Sequence, residues 1–77
     1  MVDYDISMFS TSKLRGRIVE KYGTYAAFFQ KLDVSDVMAS KKLNGKSEFT
    51  RKDVVEWSRL LDIDLSDVGL FFYALRV

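Results

Sequence analysis

The chain has 77 residues, 48% of them hydrophobic, a formal net charge of +1, and neither histidine nor cysteine. This length predicts one small domain. Without histidine and cysteine the chain has no imidazole base, no thiol nucleophile, no disulfide and none of the common zinc sites. We therefore expect that the protein is not an enzyme and that it binds neither a metal nor a cofactor. No apolar run approaches the roughly 20 residues that span a bilayer, and the first ten residues carry acids where a signal peptide carries positive charge, which favours a cytoplasmic protein.

The first predicted helix follows a segment without a clear period. Residues 1–11 are expected to form an arm or a loose strand. After Ser12, apolar residues recur every four positions, and Gly23 can end a helix in the left-handed conformation, so helix 1 is predicted at about 13–22.

Two short helices follow, each with a polar residue suited to cap its start. Thr24 is a good N-cap for helix 2, predicted at 25–32, and Ser35 for helix 3, which runs to Leu43. The pair Asn44–Gly45 then tolerates a positive φ and stops helix 3. The linker between helices 2 and 3 is expected to be only about three residues long.

The second half of the chain predicts one strong helix and one ambiguous segment. Thr50 with Asp53 three positions later resembles a capping box, and a core stripe follows in helix 4, at about 51–61. The apolar stretch Val68–Leu75 fits a short fifth helix with an extended tail, although its aromatic residues leave helix and strand both open. Residues 12–77 are therefore expected to form a single all-α domain.

Helices 2 and 3 are predicted to cross steeply, because a short turn joins them, as in a helix-turn-helix. Five apolar residues have the spacing expected of the face where the two helices meet: Phe28, Leu32, Val34, Ala39 and Leu43. The outward face of helix 3 supplies the candidate base readers, which are Asp36, Val37, Ser40 and Lys41. In a DNA major groove, Lys can donate to guanine acceptors, a Val methyl can meet the thymine methyl, and a carboxylate is repelled unless it accepts from cytosine.

The distribution of charge also favours a polyanion as partner. Residues 12–46 hold eight Lys/Arg against three acids, a net charge of +5 that leaves −4 for the rest of the chain, although solvated surface charges alone would give the same count. Donors suited to phosphate surround helix 3: Thr24, Tyr25, Ser35, Lys42, Asn44, Lys46 and Arg51. Lys13, Arg15 and Arg17 are expected to be solvated or to reach distal phosphates rather than to read bases.

Three runs carry a family resemblance: KLRGRIVEKYGTYAAFFQKLDVS, SKKLNGKSEFT and LLDI. In them the chain resembles the Cro/repressor-type helix-turn-helix proteins, in particular short Cro-like regulators of temperate phages of Gram-positive bacteria. The resemblance covers about residues 12–77 and implies a five-helix, lambda-repressor-like bundle that binds an operator in double-stranded DNA as a homodimer. It also implies a place in the bacterial cytoplasm, at the nucleoid when the protein is bound to DNA.

The chain departs from the family pattern at four scaffold positions. Tyr25 stands where the family favours Gln, and Asp33 where a turn Gly is usual, which Asp can replace in the left-handed conformation. Phe29 stands where Ala is usual and Ala39 where a larger apolar residue is usual, which predicts an exchange of bulk and a shifted interhelical angle.

Two questions stay open on the sequence. The reading face Asp36, Val37 and Met38 is more apolar and acidic than usual, which also suits an antirepressor or repressor modulator that docks on a phage repressor protein. At the end of the chain, Phe71, Phe72, Leu75 and Val77 are either a lid on the core or a dimer seam.

Overall fold

Residues 8–75 are described by a computed structural model, and helices account for most of them. The helices are α1 (Ser12–Tyr22), α2 (Tyr25–Phe29), α3 (Asp36–Leu43), α4 (Arg51–Leu61) and α5 (Val68–Phe72), with one turn of 3-10 helix (Leu65–Asp67) before α5. Two strands, β1 (Phe9–Ser10) and β2 (Ala74–Leu75), pair antiparallel. The prediction of a small, mostly helical domain with five helices is confirmed within residues 8–75, and the two short strands are an addition to it.

The helix ends follow the predicted caps. The hydroxyl oxygens of Thr24 and Ser35 accept hydrogen bonds from the backbone N–H three residues later, at 3.1 and 3.2 Å. Thr50 and Asp53 form the predicted capping box at the start of α4. Gly23 ends α1 with a φ of 81°, a conformation that glycine adopts without the steric cost of a Cβ.

The connection between α2 and α3 differs from the prediction. α2 ends at Phe29 instead of residue 32, so six residues, 30–35, separate the two helices. The physical reason is that the N–H groups of Lys31 and Leu32 bond to carbonyls three residues earlier, which tightens the chain into a turn. A longer connection needs no left-handed residue, and Asp33 does not adopt that conformation: among the described non-glycine residues, the positive φ belongs to Asp62.

The core lies where the five helices meet. Its fully buried large side chains are Trp57, Phe28, Phe72, Leu14, Ile18 and Leu61. The ring of Trp57 makes edge contacts with Phe28 at 5.1 Å and with Phe49 at 4.9 Å between centroids. Such pairs stabilise beyond the burial of their area, and the Phe28–Trp57 pair joins α2 to α4.

The predicted inner face of the helix pair agrees with the structure. Phe28, Ala39 and Leu43 are buried, and Leu32 and Val34 are half-buried against the core cluster. Phe29 is also buried, and the exchange of bulk with Ala39 and the shifted interhelical angle stay predictions. The inward orientation of α3 therefore depends on small and medium apolar side chains, which leaves its opposite face to solvent.

The two ends of the described chain meet at the sheet. Phe9 pairs with Leu75 and Ser10 with Ala74, and Thr11 is buried, so residues 8–11 of the predicted arm belong to the fold. Residues 1–7 of that arm lie outside the described residues. The ambiguous C-terminal stretch is thus α5 followed by β2.

The lid-or-seam question has different answers along that stretch. Phe72 is in the core and Phe71 is half-buried, whereas Leu75 is 62% exposed and Val77 lies outside the described residues.

The longest helices of residues 8–75 have 11 residues, and none is long and apolar enough to cross a membrane.

Candidate nucleic-acid interface

The outer surface of α3 forms one side of an open groove of about 560 Å³, with α2 on the other side. The lining consists of Ala26 and Phe29 from α2, Asp36, Val37, Ser40 and Lys41 from α3, and Asn44 and Lys46 from the following loop. We call this surface the α3 groove. All the residues predicted to read bases line it, and two of the predicted phosphate contacts, Asn44 and Lys46, lie at the same groove.

Helical spacing explains why these side chains share a surface. Ala39 and Leu43 are one turn apart and buried, so residues on the opposite side of α3 face outward. Asp36, Val37, Ser40 and Lys41 are all exposed, as predicted. The groove thus offers a carboxylate, an apolar group, a hydroxyl and an ammonium along about one and a half turns of helix.

The lining of the α3 groove is largely apolar. The Val37 side chain is 65% exposed, and Phe29 and Ala26 line the same groove from α2. Met38, which the sequence pattern places with the reading face, is 38% exposed. Val55 and Leu65, away from this groove, are about as exposed as Val37, so the exposure of Val37 is not by itself a sign of a partner.

The C-terminal end of α3 is held by Arg15 from α1. The Arg15 guanidinium donates to the Leu43 carbonyl at 2.9 Å and to Asn44 Oδ1 at 2.6 Å, and the Thr11 hydroxyl donates to the same carbonyl at 2.7 Å. A cation at a helix C-terminus satisfies carbonyls that have no partner within the helix. Arg15 therefore positions α3 internally, which corrects the expectation that it is merely solvated; contact with a distal phosphate stays a prediction.

Arg17, on the same helix, has a similar internal role. Its guanidinium donates to the carbonyls of Leu61 at 2.8 Å and Asp62 at 3.1 Å, at the end of α4. It also lies 5.0 Å from the centre of the Phe71 ring and 3.3 Å from the Glu20 carboxylate. The expectation that Arg17 is merely solvated is corrected for the same reason, and its contact with a distal phosphate stays a prediction.

Lys42 is buried, although its sequence position predicted a phosphate contact. Its side chain is 5% exposed, and its ammonium donates to Asp53 Oδ2 at 2.6 Å and to the Glu48 carbonyl at 2.9 Å. Burial alone would raise the pKa of Asp53, but hydrogen bonds from Lys42 and Thr50 outweigh it and hold that pKa below its usual value. Lys42 thus fastens α3 to α4 and is not available to a phosphate.

The other predicted phosphate contacts do not line the α3 groove. Thr24 and Ser35 are exposed, with their hydroxyl oxygens engaged as helix caps. The half-buried Tyr25 ring stacks on Phe29 at 6.4 Å between centroids, at the edge of the groove. Arg51 lines a separate groove on the outer side of α4 and is not brought together with the others.

Internal contacts reduce the positive charge that the segment 12–46 can offer. Four of its eight Lys/Arg side chains form ion pairs or donate to carbonyls at the ends of helices: Arg15, Arg17, Lys21 and Lys42. The other half are exposed and have no ion pair within residues 8–75: Lys13, Lys31, Lys41 and Lys46. Two of these four, Lys41 and Lys46, line the α3 groove together with the carboxylate of Asp36.

Comparison with known proteins gives a family without a described activity. No curated protein matches the chain. A family model described as "Protein of unknown function (DUF739)" matches residues 7–74, which include all five helices. Because the match covers most of the length of the chain, the chain belongs to the DUF739 family of proteins of unknown function.

Proposed function

We propose that this protein is a sequence-specific DNA-binding transcriptional regulator, a Cro-like repressor that acts at an operator. In this proposal α2 and α3 are the helix-turn-helix of a lambda-repressor-like domain, and α3 enters the major groove. The observation that carries the proposal is the α3 groove, where Asp36, Val37, Ser40 and Lys41 are all exposed on one surface. An α-helix with its side chains is about 10–12 Å across, which suits a major groove about 12 Å wide.

The polar residues beside the groove supply the contacts that hold a helix in register on DNA. Lys46 is exposed and has no ion pair among the described residues, so its ammonium is free to neutralise a phosphate. Two copies of the domain on a pseudo-palindromic site would double these contacts. We therefore propose that the regulator acts as a homodimer in the bacterial cytoplasm, at the nucleoid when bound.

The experiment that tests this function is a titration of the protein against the promoter region of its own gene at several salt concentrations. Binding should weaken linearly in log K against log salt, because each neutralised phosphate releases counterions. The matched variant Lys46→Ala should make this slope shallower by about 1 for each phosphate that is no longer neutralised. Absence of binding at a salt concentration of about 50 mM would rule out the proposal, since electrostatic binding is strong under that condition.

A second function is favoured by the apolar side chains of the same groove. Val37 is 65% exposed and lines the groove together with the charged residues Asp36 and Lys41, and protein interfaces commonly combine apolar and charged side chains in this way. The alternative is therefore an antirepressor or repressor modulator that binds a phage repressor protein. Mixing the protein with the repressor encoded beside it tests this alternative by size-exclusion chromatography. A stable complex that Asp36→Lys weakens would support it, and a complex indifferent to that charge reversal would exclude the α3 groove as its docking surface.

A further inference from the structure

The side chains at the end of α3 form a chain of hydrogen bonds that leads from α1 into the groove. Arg15 donates to Asn44 Oδ1 at 2.6 Å, and Asn44 Nδ2 donates to the Ser40 hydroxyl oxygen at 3.3 Å. A guanidinium can only donate, so the Asn44 atom that faces Arg15 is the amide oxygen. This fixes the orientation of the amide and turns its nitrogen towards Ser40.

The consequence for Ser40 is a hydroxyl with a defined role. Its oxygen accepts from Asn44, and within residues 8–75 it makes no bond to the carbonyl one turn earlier, where a helical serine often donates. The hydroxyl proton is therefore free to be donated to a group in the α3 groove. Ser40 can therefore donate a hydrogen bond to a ligand of that groove.

One turn before Ser40 stands the opposite kind of group. Asp36 is exposed, lines the same groove, and has neither an ion pair nor a side-chain hydrogen bond within residues 8–75. Its carboxylate is not needed as a helix cap, because the Ser35 hydroxyl caps α3. An ionised carboxylate only accepts hydrogen bonds, and the Cβ atoms of residues four apart on a helix lie about 5–6 Å from each other. The groove therefore presents an acceptor and a donor one turn apart.

We propose that Asp36 and Ser40 together read one C·G base pair, with Asp36 accepting from the cytosine N4 amino group and Ser40 donating to guanine O6 or N7. Cytosine is the base whose major-groove edge offers a donor without an adjacent acceptor. Adenine also offers an amino group, but its N7 acceptor would repel the second carboxylate oxygen. Val37, next to Asp36 and exposed, then lies against the thymine methyl of a neighbouring pair.

This inference rests on the DNA-binding function proposed above, and it gives Arg15 and Asn44 a part in specificity. They touch no base in it. They are positioning residues, because they hold the Ser40 hydroxyl in the orientation that donates. Removal of the Asn44 amide should then change the preference at the same base pair as removal of the Ser40 hydroxyl.

Selection from a library of randomised DNA duplexes tests the inference, with wild type, Asp36→Asn, Ser40→Ala and Asn44→Ala compared. Wild type should select a C·G pair at one position of each half-site. Asp36→Asn should reduce discrimination there by about tenfold, the typical effect of removing one hydrogen bond to a base. Ser40→Ala and Asn44→Ala should lower it at the same pair, whereas Lys46→Ala should leave the selected sequence unchanged. Circular dichroism of each variant checks that it is folded.

The outcomes separate this inference from the function on which it rests. If wild type binds no duplex at low salt, both fail. If wild type selects a site but Asp36→Asn strengthens binding to all duplexes alike, Asp36 is only a repelling charge and this inference alone is overturned. The same conclusion follows if Asp36→Asn and Ser40→Ala affect different base pairs.

Discussion

The buried ion pair between Lys42 and Asp53 predicts a large loss of stability when one charge is removed. Lys42→Met keeps the length of the side chain but leaves the Asp53 carboxylate, whose side chain is 8% exposed, without its cation. Breaking such a pair typically costs about 3–5 kcal/mol, and we expect about 3 because Asp53 keeps the bond from the Thr50 N–H at 2.8 Å. A domain of this size has a total stability of about 4–12 kcal/mol, so the midpoint of thermal unfolding should fall by roughly 12–24 °C.

Urea unfolding followed by the fluorescence of the buried Trp57 measures this effect. The matched control is Lys41→Met, because Lys41 is the neighbouring lysine and is exposed, so its replacement should change the unfolding free energy by less than about 0.5 kcal/mol. Adding Asp53→Leu to Lys42→Met should restore part of the stability, since no uncompensated charge then remains. Equal destabilisation by Lys42→Met and Lys41→Met would refute the reasoning.

The pH dependence of the same pair gives an independent check. The pKa of Asp53 is lower in the folded state than in the unfolded chain, so its contribution is complete above a pH of about 4 and is lost as the pH falls through the folded-state pKa. Without Lys42, burial still raises the pKa of Asp53 and the Thr50 bonds still lower it, but the hydrogen bond and the charge of Lys42 no longer lower it. The pKa of Asp53 is therefore higher than in wild type, and protonation relieves the buried charge sooner. The difference in unfolding free energy between wild type and Lys42→Met should therefore shrink on acidification below that pH.

Two further predictions concern the α3 groove and the end of α1. Lys46→Ala should weaken binding to all DNA sequences alike, whereas Lys41→Ala should chiefly relax base preference; identical binding profiles across a panel of operator variants would contradict these roles. Gly23→Ala should cost about 1–2 kcal/mol in urea unfolding, because its φ of 81° strains any residue with a Cβ. The control Gly16→Ala lies inside α1 with open space around it and should stabilise by about 0.5–1 kcal/mol, so a drop in stability there would contradict the argument.

Local features of the fold were predictable because they depend on neighbours in the chain. The caps Thr24, Ser35 and Thr50 each bond to an N–H three residues later, and such spacing is visible in the sequence. The exposure of the reading face followed from the 3.6-residue period once Ala39 was assigned to the core. The end of α2 was not predictable in this way, because a 3-10 turn and a further turn of α-helix have similar apolar spacing.

Contacts between distant residues were missed because spacing does not show them. Arg15 meets the Leu43 carbonyl 28 residues away, and nothing in the composition of α1 separates this arginine from a solvated one. For Lys42 a signal was present: it lies three positions after Ala39 and one before Leu43, which puts it on the inner face of α3. The general rarity of buried lysine pointed the other way, and only the position of Asp53 in space reverses that expectation.

The pairing of β1 with β2 also constrains the order in which the molecule assembles. It joins Phe9 to Leu75 across nearly the whole chain, and each strand has only two residues to compensate for closing so long a loop. The backbone hydrogen bonds within each helix join residues only about four positions apart, so the helices can form before that loop closes. We therefore expect the sheet to form after the helices and to open before them. Its backbone amides should then exchange with solvent through local opening while the helical core stays folded.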